Sequence, residues 1–257
     1  MPFFIYNFRS IMRFNIFITL VLWTLVLLTG GCRTVGPLND ARPDTVAQKE
    51  IEALVQKAWT DFKESTIATR DSLTEARVRN VFTRVNRAVT TSEAGWDVHV
   101  YDKGPASAFI LPGQRLAVQA GFVNRLQTDA ELAAVFAHLL AHQAAVHGTE
   151  RLGKLLPANR GSDQRELSQL VMLAYRGFAS NRASTWCTFK LQHETVADSL
   201  AVIYLSRAGF KPAAILTAWE RLNREYENAP LFLQIHPMST KRRGKLKQAL
   251  EETAAWY

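Results

Sequence analysis

Two histidines four residues apart, His138 and His142, are the residues whose spacing points most directly to chemistry. On an α-helix, residues i and i+4 lie on one face, so the two imidazoles can bind a single metal ion. Imidazole nitrogen is a common ligand of Zn²⁺ in proteins. If this segment is helical, the pair predicts part of a zinc site.

The residue that follows the first histidine is Leu139. In the zinc-peptidase motif HExxH, this position holds a Glu that acts as general base toward the attacking water. Here the motif reads His-Leu-Leu-Ala-His. The sequence therefore retains the metal-binding pair and lacks the usual proton acceptor.

A later segment supplies carboxylates. Glu194 and Asp198 are four residues apart and share a helix face, so one can bind the metal while the other orients a ligand imidazole. Two His and one Glu form a known catalytic zinc set with one open position. The alternative is that the histidines are buried packing residues and the carboxylates lie on a solvated helix face. We expect the third histidine, His147, to be structural rather than a ligand.

The elements that must position these residues are mostly helical. Thr128-Asp129-Ala130-Glu131 is a capping box, and the apolar residues after it predict a helix through the core. The order of helices, a short sheet and further helices predicts a mostly helical α+β domain. Helices are predicted over residues 45–69, 72–90, 163–179 and 189–208, strands over 96–101, 108–111 and 115–120, and a loop over 153–161.

The N-terminus has the pattern of an export signal. An apolar run, Ile16–Leu28, follows Arg9 and Arg13 and ends in small residues before Cys32. This run fits a signal-peptide core and is short for a membrane-spanning helix, which needs about 20 residues. The junction resembles a bacterial lipoprotein signal, which predicts lipidation of Cys32 after removal of residues 1–31, followed by a tether over residues 32–44. A plain secreted protein or an inner-membrane anchor is the alternative.

The composition fits one globular domain beyond that tether. The net charge is +8 and 47% of residues are hydrophobic, which suffices for a sizeable core. With Cys32 lipidated, Cys187 is the only remaining thiol, so no internal disulfide is expected. The densest basic cluster predicts a solvated helix face rather than a nucleic-acid site, with anionic lipid head groups as a minor option. This cluster consists of Lys241, Arg242, Arg243, Lys245 and Lys247.

Four segments between residues 72 and 250 carry a common pattern. They are SAFILPGQRLAVQAGFV, TDAELAAVFAHLLAHQAAVHGTER, ETVAD, and His236-Pro237 followed by Arg242. In this order they resemble elements of the HtpX-like and CAAX-prenyl-protease-like zinc metallopeptidases (peptidase family M-48), in particular their periplasmic lipoprotein branch. The chain departs from the pattern at Ser107, Gln114 and Leu139, where the family has Asn, Gly and the catalytic Glu.

The resemblance implies a metallopeptidase-like domain over residues 45–257, with a zincin-like fold and a short antiparallel sheet. It implies one zinc ion held by His138, His142 and Glu194, with Asp198 orienting a ligand histidine. The family's catalytic position falls on Leu139, so no catalytic residue is carried over.

Further implications concern the cleft and the partners. The resemblance implies that His236 and Arg242 approach the cleft from the C-terminal segment. It implies that the strand Arg115–Ala120 offers its edge to an extended polypeptide. Unfolded or outer-membrane polypeptides would be the partners, the lipid anchor would hold the protein to a membrane, and the location would be the periplasmic face of the bacterial outer membrane.

Three functions follow from these observations. The favoured one is a degenerate, zinc-binding metallopeptidase-like envelope lipoprotein that binds polypeptides with little or no proteolysis. The second is an active zinc metalloendopeptidase in envelope protein quality control. The third is a metal-free structural lipoprotein in which His138 and His142 are packing residues.

Overall fold

The computed structural model describes residues 45–90, 95–158, 161–176, 189–224 and 230–254. The chain from Thr45 onward forms one compact unit. Within the described ranges, no helix combines the length and apolar character needed to cross a bilayer. The predicted signal peptide (1–31), the tether (32–44) with Cys32, and Cys187 lie outside the described residues and stay predictions.

Along the chain, two helices precede one small sheet and further helices follow it. In chain order the elements are α1 (Thr45–Ser65), α2 (Ser72–Val89), β1 (Asp97–Tyr101), β2 (Ala108–Leu111), β3 (Arg115–Gln119), α3 (Ala120–Asn124), α4 (Asp129–Ala144), α5 (His147–Ala158), α6 (Gln164–Arg176), α7 (Leu191–Arg207), α8 (Ala214–Asn223), α9 (Leu231–Ile235) and α10 (Thr240–Ala254). The prediction of a mostly helical α+β domain is confirmed.

The predicted loop over residues 153–161 is wrong, because α5 continues to Ala158. Gly153 lies on an exposed helix surface, where a Cβ would meet nothing within 4 Å. Glycine at such a position costs a helix only about 1 kcal/mol. The burial of Leu152 in the core favours the helix over the loop.

The sheet is mixed rather than purely antiparallel. Its strand order is β1-β3-β2, with β1 parallel to β3 and β2 antiparallel to β3. The β2–β3 hairpin folds back so that its second strand lies beside β1. Arg115–Gln119 is therefore the central strand and has no free edge, which makes the prediction of a polypeptide-binding edge at that strand wrong. On this side of the sheet, β2 is the outer strand.

Side chains of the sheet alternate between two hydrophobic clusters, as expected for strands covered on both faces. Ala108 and Ile110 of β2 pack into the larger cluster, which contains α2, α4, α7 and α8. Phe109 and Leu111 point the other way, toward α1 and α6. The sheet thus lies between a large helical layer and a smaller one.

The central element is α4. Its capping box is present, since Thr128 Oγ1 accepts from the Glu131 backbone N–H while the Glu131 carboxylate accepts from that of Thr128. Every side chain from Glu131 to His142 is buried. A helix buried on all sides is apolar all round, so the two histidines that interrupt it stand out as polar groups inside the core.

The β2–β3 turn offers a stability prediction. Gly113 and Gln114 both have positive φ, 80° and 62°. A side chain in this region costs about 1–2 kcal/mol, whereas glycine pays about 0.5–1 kcal/mol in backbone entropy. We expect Gln114→Gly to raise the free energy of unfolding in urea by about 0.5–1 kcal/mol. Gly113→Ala is the control and should lower it, because an L side chain is strained at the φ of 80° found there. A Gln114→Gly protein less stable than the wild type would contradict this account.

Candidate metal centre

Two packed helices bring the chemistry-bearing side chains together. Helix α4 presents His138 and His142 one turn apart, and α7 presents Glu194 and Asp198 toward them. Small residues on both helices, such as Ala137 of α4, allow this close approach, because the distance between helix axes depends on the side chains at the contact. The others of this kind are Ala134 and Ala141 on α4 and Ala197 and Ala201 on α7.

Four side chains converge on one point and are called the metal group here: His138, His142, Glu194 and His236. Each offers one ligand atom, all four residues are buried, and these atoms lie within 4.8 Å of one another. His138 Nε2 is 3.1 Å from His142 Nε2 and 3.2 Å from His236 Nδ1. Glu194 Oε1 is 3.3 Å from His142 Nε2 and 2.9 Å from His236 Nδ1.

These separations are those of a tetrahedral ligand set. With bonds of about 2.0–2.1 Å, ligand atoms on a tetrahedral Zn²⁺ are about 3.3 Å apart. Three imidazole nitrogens and one carboxylate oxygen are also the ligand types that Zn²⁺ accepts. The metal group therefore offers the ligand types that zinc accepts, at separations close to those of a tetrahedral set.

Burial and neighbouring charges keep three of the four ligands in forms that can bind a metal. Burial lowers the pKa of His236 to about 4 and moves that of His142 well below its ordinary value, so both imidazoles are neutral. Burial disfavours the charged form of Glu194, but His236 and Arg242 hold its pKa well below the ordinary value. Burial also acts on His138, but hydrogen bonds to Asp198 and Glu194 raise its pKa, and a metal ion would compete with that proton.

Asp198 and Arg242 form the support behind the metal group. Asp198 Oδ1 lies 3.0 Å from His138 Nδ1, the ring nitrogen that points away from the metal group. Arg242 Nε and Nη2 donate to the two carboxylate oxygens of Asp198 at 2.7 and 2.8 Å. Arg242 Nη1 contacts Glu194 and donates to the backbone carbonyl of His236 at 2.9 Å. One guanidinium thus connects α7, α10 and the segment that carries His236.

Leu139 lies beside the metal group, in the wall of a cleft of about 230 Å³. Its side chain is 5% exposed. His142 and His236 form the polar end of this cleft. The remaining lining residues are mostly apolar or small: Phe109, Ile110, Pro112, Gly113, Gln143, Val146, Gly148, Thr149, Tyr175 and Phe189.

The structure brings together every predicted metal-site residue of the described ranges. His236, predicted to approach the cleft, lines it and is also one of the four converging residues. Arg242 was counted in a solvated basic cluster, which is wrong, since it is 1% exposed. Sequence analysis also missed Phe189, whose ring lies 4.0 Å from that of His142, and no local pattern marks it.

The comparisons with known proteins agree with this geometry. A sequence model described as Peptidase family M48 matches residues 72–250, which is most of the chain and includes the whole metal group. The chain belongs to peptidase family M48. The finer placement in a periplasmic lipoprotein branch of that family stays a prediction.

Several curated proteins are similar to this chain. The mitochondrial metalloendopeptidase OMA1 of Schizosaccharomyces pombe is 31% identical over 186 residues, which cover 68% of this chain and 52% of the relative. That of Saccharomyces cerevisiae is 24% identical over 91% of this chain and 75% of the relative. A putative beta-barrel assembly-enhancing protease of Vibrio cholerae is 28% identical over 53% of this chain and 31% of its own length. The chain thus spans about half of the S. pombe relative.

The predicted location at the bacterial outer membrane is wrong. Relatives matched over most of the chain are mitochondrial metalloendopeptidases. The prediction depended on residues 1–32, which lie outside both the family match and the described residues.

Proposed function

We propose that this M48 protein holds one zinc ion in the metal group and binds polypeptide segments in its cleft with little or no hydrolysis. The observation that carries the proposal is Leu139. The structure places an apolar side chain in the cleft wall directly beside intact metal ligands. General-base catalysis contributes about 10²–10⁴-fold to rates of this kind.

Each residue of the site has a defined task in this proposal. His138, His142 and Glu194 would hold the ion together with His236, and Asp198 would orient His138 through its Nδ1. When bound in such a site, zinc polarises a carbonyl and lowers the pKa of a water to about 7. A peptidase must also take up a proton from the attacking water, and the hydrocarbon side chain of Leu139 cannot do so.

The α4 carboxylate nearest to His138 in the sequence does not replace the missing base. Glu131 accepts hydrogen bonds from the backbone N–H groups of Gln127 and Thr128. It also accepts from Arg221 Nε at 3.0 and 3.1 Å. Glu131 lies two helical turns before His138 and its lone pairs are engaged in the capping box, so its task is structural.

The position of His236 also favours binding over catalysis. Catalytic zinc sites have three protein ligands and keep the fourth position open, whereas structural sites are closed by four. In this structure His236 Nδ1 supplies a fourth ligand atom beside those of His138, His142 and Glu194. An ion held by all four would have no position left for a substrate carbonyl.

An extended polypeptide segment is the partner that the cleft fits. Gln119 N–H donates to the Ser107 carbonyl, so in the antiparallel ladder the backbone groups of Ala108 and Ile110 point away from β3. Ile110 lines the apolar cleft. Gln143 lines it too, and within the described residues its Oε1 has no hydrogen-bond partner. We propose that a peptide adds to the edge of β2 and places an apolar side chain in the cleft.

An active metalloendopeptidase is the second candidate. Two observations favour it: the metal ligands border an open cleft, and the OMA1 relatives are named metalloendopeptidases. In that case His236 would leave the ion to admit a substrate, and a group other than Leu139 would take the proton.

Zinc content of the full chain tests the proposal. We expect about one ion per chain in the wild type, because the ligand set is complete, and loss of the ion in the His138→Ala/His142→Ala double variant. His99→Ala is the matched control, since His99 is a half-buried histidine outside the metal group, bonded to Thr66 Oγ1 at 2.8 Å. Its metal content should equal that of the wild type. Equal zinc in the double variant and the wild type would exclude the proposed site.

A further inference from the structure

His147 is a buried histidine that contacts His142 on the side of the ring that faces away from the metal group. Its Nδ1 lies 3.1 Å from Nδ1 of His142, and it is 7% exposed. Its ring stacks on that of His193, with 4.3 Å between ring centroids. His147 is not one of the four converging residues, so the metal site does not explain its position.

The hydrogen bond between the two histidines has a defined direction if His142 binds a metal. A ligand imidazole presents a lone pair to the ion, and in His142 this is the pair on Nε2, which faces the metal group. The ring proton of His142 is then on Nδ1 and is donated to His147. His147 Nδ1 must accept it and carry its own proton on Nε2.

The two ligand histidines thus have different orienting partners. His138 Nδ1 faces the carboxylate of Asp198 at 3.0 Å, and His142 Nδ1 faces the imidazole of His147 at 3.1 Å. Such partners of the non-ligating nitrogen fix the tautomer and the ring orientation of a ligand histidine. Asp198 is further fixed by Arg242, and His147 by its stacking on His193.

The backbone is shaped to make this contact. On a continuous α-helix, residues five apart point about 140° away from each other, so His147 would not reach His142. Instead α4 ends at Ala144 and α5 begins at His147. Between them Val146 has φ 51°, a left-handed conformation that costs a β-branched residue about 1–2 kcal/mol. Strain of this kind persists where the surrounding structure and function maintain it.

We propose that His147 is a positioning residue, which holds His142 in the tautomer and orientation required for metal binding by accepting its Nδ1 proton. This inference rests on the proposed zinc site. In this proposal, the left-handed turn at Val146 brings His147 into contact with His142.

A pair of substitutions separates hydrogen bonding from packing. His147→Phe keeps an aromatic ring against His193 and removes the acceptor nitrogen, whereas His147→Gln loses the ring and keeps an acceptor oxygen. We expect zinc affinity, measured by competition with a chromophoric chelator, to fall about 10–100-fold in His147→Phe. We expect His147→Gln to remain within about threefold of the wild type, because an acceptor for His142 is retained. The visible spectrum of the cobalt-loaded chain should change in the Phe variant and be retained in the Gln variant.

The outcomes distinguish this inference from the proposed function. A wild-type chain that binds no zinc would contradict the proposed zinc site itself. A wild-type chain that binds zinc, together with a folded His147→Phe chain of equal affinity, would overturn only the role of His147. If the Phe variant does not fold, as judged by circular dichroism, the Gln variant decides. Retained affinity in the Gln variant supports the acceptor role, and a loss of tenfold or more overturns it.

Discussion

Leu139→Glu is expected to raise the rate of casein hydrolysis by the zinc-loaded protein by about 10²–10⁴-fold, the contribution of a positioned general base. Leu139 follows the ligand His138 on α4 and lines the cleft, so a Glu here would project into the space beside the metal group. The substitution restores the proton acceptor of the HExxH motif and leaves all four ligands in place. The gain should disappear when a chelator removes the metal.

The control for this experiment is Leu139→Gln. Gln has nearly the size and polarity of Glu and cannot take up a proton at neutral pH, so it should fold similarly and give no gain. Folding must be verified first, since Leu139 is 5% exposed and an unpaired buried carboxylate costs several kcal/mol. A folded, zinc-loaded Leu139→Glu protein no more active than Leu139→Gln would show that Leu139 is not what limits hydrolysis. The fourth ligand atom, from His236, would then be the next group to remove.

The unmodified protein gives the complementary test. Hydrolysis of casein that is rapid and sensitive to chelators would contradict the binding proposal and favour an active metalloendopeptidase. The same outcome would require another proton acceptor in the cleft. Gln143 is a neutral amide and Glu131 is engaged at the start of α4, so neither can be that acceptor.

Local spacing in the sequence predicted the parts of the site that lie on single helices. The i, i+4 pairs on α4 and α7 and the capping box of Thr128 and Glu131 depend on helical geometry alone, and the structure has them as helical pairs. His236 is different, because it is 98 residues from His138 and 42 from Glu194 along the chain. Tertiary packing of α9 against α6 and of α10 against α7 brings it to the metal group, so its approach to the cleft is predicted by the family resemblance and not by helical spacing.

The sheet and the turn at Val146 show the same limit. Local sequence patterns predicted the three strands but not their order in the sheet. That order depends on where the β2–β3 hairpin lies relative to β1. The sequence predicts His147 to be structural rather than a ligand, and His147 is not among the four converging residues. A left-handed valine precedes it and brings it against His142, a contact that helical spacing does not predict. Such a conformation is costly for a β-branched residue and is not expected from its sequence.

Arg242→Met is expected to lower the free energy of unfolding by about 3–5 kcal/mol in the metal-free protein, the usual cost of removing one partner from a buried ion pair. Arg242 is 1% exposed and is bonded to Asp198 through two nitrogens, to Glu194 and to the carbonyl of His236. Without Arg242, the negative charges of Glu194 and Asp198 remain buried and lose the positive charge that offsets them. Urea denaturation followed by circular dichroism measures the loss.

The neighbouring arginine provides a matched control for this prediction. Arg243 lies on the same helix and donates to Glu220 at 2.8 Å, but both side chains are partly exposed. Exposed ion pairs contribute about 0–1 kcal/mol, so Arg243→Met should change stability by no more than that. Zinc provides a second comparison, because an ion bound by Glu194 supplies positive charge at the same place. Saturating zinc should therefore recover part of the stability lost in Arg242→Met. Equal losses in the two arginine variants would mean that Arg242 acts through general charge and not through the buried carboxylates, and the support assigned to it behind the metal group would be excluded.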